Sequence, residues 1–427
     1  MAVEPGAPGL APRRAALAVL RQVRAGHRFE PALDHALAGL RGADRRLAHE
    51  LAAGTLRARG TLDARLAPRA SRGWDAVPGD LQDILRLGAY QLGGLERVPA
   101  HAAVSTSVAL ARELGGRKAA GFVNAVLRRV AGDGVPPDEP AASHPTWLVD
   151  RWTSRFGAAE TAALLAWNDR RPGLVLQPAR ESLEALERRL RGAGLTPAPA
   201  PHGAGLVVGR ARPEALPGYA EGAFVVQDPS QALVARFAAP AAGSLVYDAC
   251  AAPGGKTIAL GLVAGRVVAG DRSWRRIQRL AENLARAGSG REHPVLADAE
   301  RPPLLSADLV LLDAPCLGTG TLARRPDARW RIEPAMLDSL TALQRRLLEG
   351  CAGVVPPGGV LVYATCSLEP EENELQVGRF LGEHPGFRRE PGPGSDPDHL
   401  TADGDLLLLP QRHGTDGAFA ARLRRVA

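Results

Sequence analysis

The 427-residue sequence predicts an α/β fold: a doubly wound parallel sheet in the C-terminal half, preceded by an all-helical segment and a small α/β insert. Three observations predict it. Apolar runs at 244–248, 266–270, 307–313 and 358–364 are continuous rather than alternating, the mark of strands buried on both faces. Helical stretches at 273–287 and 335–352 lie between them. Residues 12–130 show helical periodicity and no strand-like alternation.

The elements follow in order. Leu81, Ile84, Leu85, Ala89 and Leu92 share one helical face, and Phe122, Val123, Val126, Leu127 and Val130 share another. The run 131–140 is rich in proline and glycine, cannot continue a helix, and predicts a linker. A helix at 157–167, a strand at 174–176, an amphipathic helix at 182–193 and strands near 205–208 and 223–226 predict the insert. The stretch 391–398 reads as a loop. Residues 406–409, a turn at 413–417 and residues 418–423 read as a terminal hairpin that adds an antiparallel edge. The expected domains are 1–135 (all-helical), 145–238 (insert) and 239–427 (main sheet).

Hydrophobic residues make up 45% of the chain, enough to fill these cores. Residues 1–14 hold no apolar h-region, so no secretory signal is expected. No run of about 18 apolar residues occurs, so no membrane span is expected. The four cysteines match neither a disulfide framework nor a zinc spacing. We therefore expect no metal site and a reducing, cytoplasmic setting. Net charge is +7, and residues 1–130 hold 20 Arg or Lys against 11 Asp or Glu. This basic excess in the helical third fits contact with phosphates, and it equally fits solvated faces in an Arg-rich chain. Aromatic residues are only 4%, which argues against many base-stacking platforms.

Ligands of open α/β sheets bind beyond the carboxyl ends of the strands. Cys250, Ala251, Ala252, Pro253, Gly254, Gly255 and Lys256 follow the first strand of the main sheet and are the expected cofactor loop. The two glycines admit close approach of a ligand to the backbone. Gly255-Lys256-Thr257 resembles the end of a phosphate-binding P-loop, but Cys250 stands where that motif needs glycine. Asp271 ends the second strand, where it suits a ribose diol or a helix N-cap. Asp298, after the third strand, suits an adenine contact or a turn. Lys256 is one of two lysines in the chain, which suggests that a compact ammonium is needed in the pocket.

Cys316 lies just past one strand, in Asp313-Ala314-Pro315-Cys316. Cys366 leaves another, in Ala364-Thr365-Cys366-Ser367. Two thiols and an acid at neighbouring strand ends suit chemistry that begins with thiolate addition, such as methylation of cytosine at carbon 5. That carbon attacks a sulfonium methyl only after a thiolate has added at carbon 6. The acids at 369–374 read as helix-start residues. Cys351 reads as core, and Cys250 as lining the loop. Residues 318–330 are basic, and read as a phosphate contact or a solvated loop.

With these motifs in hand, the chain resembles the RNA 5-methylcytosine methyltransferases. The segments 248–257, 313–316, 364–367 and 370–374 resemble that family's cofactor loop and two cysteine motifs. The resemblance implies a class I, Rossmann-like methyltransferase domain that uses S-adenosyl-L-methionine. It implies that Cys366 is the nucleophile and that Cys316 aids product release. In a methyltransferase the strand-end acid Asp313 would lie between the cofactor sulfonium and the cytosine edge, a catalytic and cofactor-binding place, with Lys256 in the same pocket. Gly54-Thr55-Leu56-Arg57 and the segment 121–128 resemble a NusB-type RNA-binding domain, and 144–148, 226–228 and 414–419 resemble further stretches of one rRNA-modifying member. That member implies 16S rRNA, or a small-subunit assembly intermediate, as substrate, with no membrane and no obligate protein partner. Leu317 and Leu176-Gln177-Pro178 depart from the pattern, the latter where Arg-Val-Asn is typical. Two other readings stand beside this one: a non-catalytic RNA-binding assembly factor, and a P-loop-like ATPase.

Overall fold

A computed structural model describes residues 9–95, 97–132, 140–209 and 211–426. The chain forms two compact units. The first comprises residues up to Arg170 together with Leu322–Ile332, and the second comprises Arg171–Thr321 and Glu333 onward.

The first unit is helical: α1 (Leu10–Arg24), α2 (Phe29–Leu37), α3 (Gly42–Arg57), α4 (Arg59–Leu66), α5 (Gly79–Gly94), α6 (Ala100–Gly132), α7 (Thr146–Phe156) and α8 (Ala158–Asn168). Both apolar faces read from the sequence point inward. Ile84, Leu85 and Ala89 of α5 pack with Val123, Val126, Leu127 and Val130 of α6 in one core with Leu17, Leu20 and Leu51. Gly115 and Gly116 interrupt α6 with a kink. Most of the linker expected at 131–140 lies outside the described residues. The helix expected at 157–167 is α8, and it belongs to this unit.

One cluster of charges in this unit is paired across helices. Arg86 donates to both carboxylate oxygens of Asp63 at 2.6 and 2.8 Å and to Asp83 at 2.9 Å. Asp83 also accepts from Arg24 at 2.9 Å.

The second unit contains two sheets. The smaller has strand order β2-β3-β1-β4, all antiparallel, from β1 (Leu174–Pro178), β2 (Ala198–Pro199), β3 (Leu206–Val208) and β4 (Phe224–Val226). Helix α9 (Leu183–Gly192) covers it, with Leu186 and Leu190 against Leu176, Leu206 and Phe224. Helix α10 (Pro229–Ala238) leads to the larger sheet.

That sheet contains β5 (Leu245–Asp248), β6 (Arg266–Asp271), β7 (Glu292–Leu296), β8 (Leu309–Asp313), β9 (Val360–Thr365), β10 (Phe387–Arg389), β11 (Leu406–Leu408) and β12 (Ala418–Arg425). Its order is β10-β12-β9-β8-β5-β6-β7, with β11 also on β12. Strands β5 to β9 are parallel, and β12 is antiparallel to β9, β10 and β11. The helices of this half are α11 (Gly255–Gly261), α12 (Trp274–Ala287), α13 (Ala335–Ala352), α14 (Glu374–Glu383) and the short α15 (Pro410–His413).

Why the apolar runs are continuous is now explicit. Val246, Leu309, Leu311, Val360 and Val362 enter the core on one face of the sheet. Their neighbours Tyr247, Val310, Leu312, Leu361 and Tyr363 enter the core on the other. One expectation needs correction. The terminal hairpin forms, but β12 is not an edge: it lies between β9 and β10, because β10 and β11 pair with the side of β12 that faces away from β9. No described helix is long and apolar enough to cross a membrane.

Candidate active site

The expected cofactor loop leaves the carboxyl end of β5. The Ala252–Pro253 peptide bond is cis, and Gly254 takes a φ of 107°, which an L side chain resists. From α12, Arg276 donates to the Ala252 carbonyl at 2.7 Å and Asn283 to the Pro253 carbonyl at 2.9 Å. The loop is therefore held by its backbone from behind.

Two buried carboxylates flank it. Asp248 accepts from Thr257 Oγ1 at 2.7 Å through Oδ2, while its Oδ1 has no hydrogen-bond partner. Burial pushes its pKa up to about 7. Asp271 combines both sequence readings. Its Oδ1 accepts from the Ser273 amide at 3.0 Å, at the start of α12, and its Oδ2 makes no hydrogen bond, although Arg276 Nε lies 3.1 Å away. Two buried oxygens without donors, beside a glycine-bearing loop, are the acceptors a ribose-containing cofactor requires. Asp298 is exposed and caps a turn through the Glu300 amide at 3.0 Å. Cys250 sits in the loop as expected, its thiol pushed up to about 12 by burial, and Cys351 is core.

The two remaining cysteines meet. Cys316 Sγ and Cys366 Sγ are 3.5 Å apart, beyond the ends of the paired strands β8 and β9. The Cys316 thiol is pushed well above its ordinary value, first by its hydrogen bond to Cys366 and then by burial. Close by in the fold, Lys256 Nζ lies 2.8 Å from Asp313 Oδ2 and also donates to Gln231 Oε1. Lys256 is nearly buried, and Asp313 is partly open. An ammonium committed to Asp313 and Gln231 does not have the free role of a P-loop lysine.

Buried polar contacts hold the cysteine loops together. Glu372 accepts from the Leu317 amide at 3.0 Å and from Gln344 at 2.9 Å. Asn373 accepts from Thr365 at 2.5 Å and donates to the Ser367 carbonyl at 2.9 Å. The Gly320 amide donates to the Cys366 carbonyl at 3.0 Å. A Cβ on Gly320 would lie 2.7 Å from Gly417 Cα, so only glycine lets the turn before β12 close on this loop. Asp228 ties that turn to α10, accepting from the Asp416 amide at 3.0 Å.

Sequence reasoning singled out both thiols, Lys256 and Asp313, but did not pair the last two. It missed Gln231 and the fully buried position of Glu372. Only the density of acids at 369–374 hinted at the latter. The basic stretch at 318–330 is neither free nor uniformly solvated, since Arg329 is fully buried in the helical unit. At the departures from pattern, Leu317 is buried, and Gln177 donates to the Ala204 carbonyl at 2.7 Å.

A parallel sheet with this cradle at its carboxyl ends defines a Rossmann-like methyltransferase. The 16S rRNA methyltransferase RsmB/F model matches residues 235–424, and the NusB family model matches residues 10–132. Ribosomal RNA small subunit methyltransferase B of Thermus thermophilus is 37% identical, over 97% of this chain and 98% of that protein. Its counterpart in Xanthomonas campestris is 35% identical over 100% of both chains. The crystal structure of PH0851 superposes with a TM-score of 0.81 at 25% identity, covering 98% of this chain and 99% of that one. NSun6 from Pyrococcus horikoshii, solved with SFG, shares the fold at a TM-score of 0.58 and 23% identity, over 66% and 98%. The chain belongs to the RsmB/F family of rRNA methyltransferases, with a NusB domain at its N-terminal side. Its methyl donor is S-adenosylmethionine, and the residues at the β5 and β6 ends fit that group.

Proposed function

We propose that this enzyme methylates carbon 5 of cytosine in 16S rRNA through a covalent adduct between Cys366 and carbon 6. The observation that carries the reading is the pair of thiols 3.5 Å apart beside the Lys256–Asp313 ion pair. The Cys366 thiolate adds to carbon 6, and the electrons of the 5,6 double bond make carbon 5 nucleophilic. Bound S-adenosylmethionine supplies the electrophilic methyl group. Asp313, oriented by Lys256 at 2.8 Å, accepts a hydrogen bond from the amino edge of the base.

Cys316 has a timed role. The hydrogen bond to Cys366 and burial hold Cys316 protonated at rest. When Cys366 adds to carbon 6 that contact is broken, and Cys316 passes its proton to solvent, which leaves a thiolate beside carbon 5. It then takes the carbon-5 proton as the bond between Cys366 and carbon 6 breaks, which restores the double bond and the thiolate. The basic helical unit docks the RNA through phosphates, and the cytosine is turned out of its stack to reach the thiols. Such a substrate puts the enzyme in the cytoplasm.

The test is methyl transfer from labelled S-adenosylmethionine to small-subunit rRNA lacking its cytosine methylation, with the modified base mapped. Cys366→Ala is expected to abolish transfer while keeping cofactor affinity, and Cys316→Ala to accumulate a protein–RNA adduct on denaturing gels. Undiminished turnover by Cys366→Ala would sink the mechanism. Cofactor binding without transfer by wild type would favour a non-catalytic assembly role.

A further inference from the structure

Helix α12 opens just after Asp271, at the carboxyl end of β6. Ile277, Leu280, Leu284 and Ala287 turn its apolar side into the core. The segment 272–279, which starts its outer side, holds four arginines and no acid. Among them stands Trp274, 61% exposed, the only Phe, Tyr or Trp side chain that is exposed among the described residues. Leu296 of β7, the register partner of Asp271, is 54% exposed at the same end of the sheet.

One apolar side chain in water is ordinary. The charges around Trp274 set it apart from the rest of this unit. On α9, Arg191 is held by Glu187 at 2.8 Å, and on α13 Arg345 and Arg346 are held by Glu349 at 3.1 Å and Glu300 at 3.2 Å. Arg272, Arg275 and Arg279 are exposed, and their guanidiniums make no hydrogen bond or ion pair among the described residues. Arg276 joins this side of the helix to the cofactor loop, 3.1 Å from Asp271 and donating to the Ala252 carbonyl at 2.7 Å. The patch is thus continuous with the cofactor site.

Unpaired guanidiniums are complemented by phosphates, which they meet with parallel N–H donors. An exposed indole is complemented by the face of an unstacked base, which a duplex does not present. An acidic peptide would meet the arginines and leave the indole in water. A single-stranded polynucleotide meets both.

We propose that the outer side of α12 is a docking surface for a single-stranded stretch of the rRNA substrate, with a base stacked on Trp274 and phosphates on Arg275 and Arg279. The inference rests on rRNA being the substrate and is independent of the thiol chemistry above.

The test uses full-length protein and two probes: fluorescein-labelled oligocytidylate, and inorganic polyphosphate, which carries charge without bases. Trp274→Ala should weaken oligocytidylate binding about tenfold, Trp274→Phe should restore most of the affinity, and polyphosphate should bind Trp274→Ala as it binds wild type. The double variant Arg275→Gln/Arg279→Gln should weaken binding of both probes. For oligocytidylate it should also lower the slope of log affinity against log salt by about 1.4. S-adenosylmethionine affinity and melting temperature should stay at wild-type values throughout, because these side chains are exposed. With small-subunit rRNA, Trp274→Ala should raise KM with little change in kcat. Unchanged oligocytidylate affinity in Trp274→Ala, or an equal loss for polyphosphate, overturns the inference. So does an unaltered salt slope in the double variant, or a wild type that does not bind oligocytidylate. Each of these outcomes leaves methyl transfer by wild type to be judged on its own, and a failure of transfer at carbon 5 leaves the binding result standing.

Discussion

Two buried charge clusters, one in each unit, are built in different ways. In the helical unit Arg86 is matched by Asp63 and Asp83, and Asp83 by Arg24. At the ends of β5 and β6, by contrast, Asp248 and Asp271 each keep a buried oxygen without a hydrogen-bond donor. Desolvating a carboxylate is costly, and a fold pairs such groups where only its own stability is at stake. The Arg86 cluster thus marks architecture, whereas the donorless oxygens of Asp248 and Asp271 mark a place a ligand completes.

Three substitutions press on this comparison. The largest effect belongs to the matched set. Arg86→Ala leaves Asp83 and Asp63 without their shared cation and should cost about 3–5 kcal/mol in urea unfolding, with S-adenosylmethionine affinity unchanged. A loss below 1 kcal/mol would mean that the network is not structural. Next, Asp271→Asn keeps the acceptor for the Ser273 amide and replaces the donorless oxygen. Cofactor binding by calorimetry should weaken by about 1.5–3 kcal/mol. Equal affinity would remove Asp271 from the cofactor site.

The smallest effect is a slope. Asp248 has its pKa raised from 3.8 to about 7 in the folded protein. The folded state therefore holds a proton that the unfolded state releases, so this contribution is full below about pH 4 and is lost as pH rises through about 7. Asp248→Asn should flatten the fall in melting temperature of the cofactor-free protein across that window. An unaltered slope would show that Asp248 is not the group responsible.

Much of this was legible because it is local. The face made by Ile84, Leu85 and Ala89 and the continuous runs of β5, β6, β8 and β9 are periodic signals that any window of the chain displays. The thiols were legible because each follows a strand in a short motif. What stayed hidden depends on residues far apart in sequence. Nothing near Glu372 shows that it will cap the Leu317 amide, and nothing near Arg329 announces Asp169, 160 residues away. Nor does an apolar terminal strand reveal whether it will sit at an edge or inside a sheet. Pairing partners decide that, and periodicity is silent about them.

The internal place of β12 also has a cost during synthesis. Strands β10 and β11 pair with β12, and β9 has one of its two neighbours there. Until residues 418–425 have left the ribosome, the strand leading to Cys366 offers a long apolar edge to any other nascent chain. The hazard of misassembly is therefore concentrated in the interval before residues 418–425 emerge, when most of the parallel sheet is out and its flank is still open.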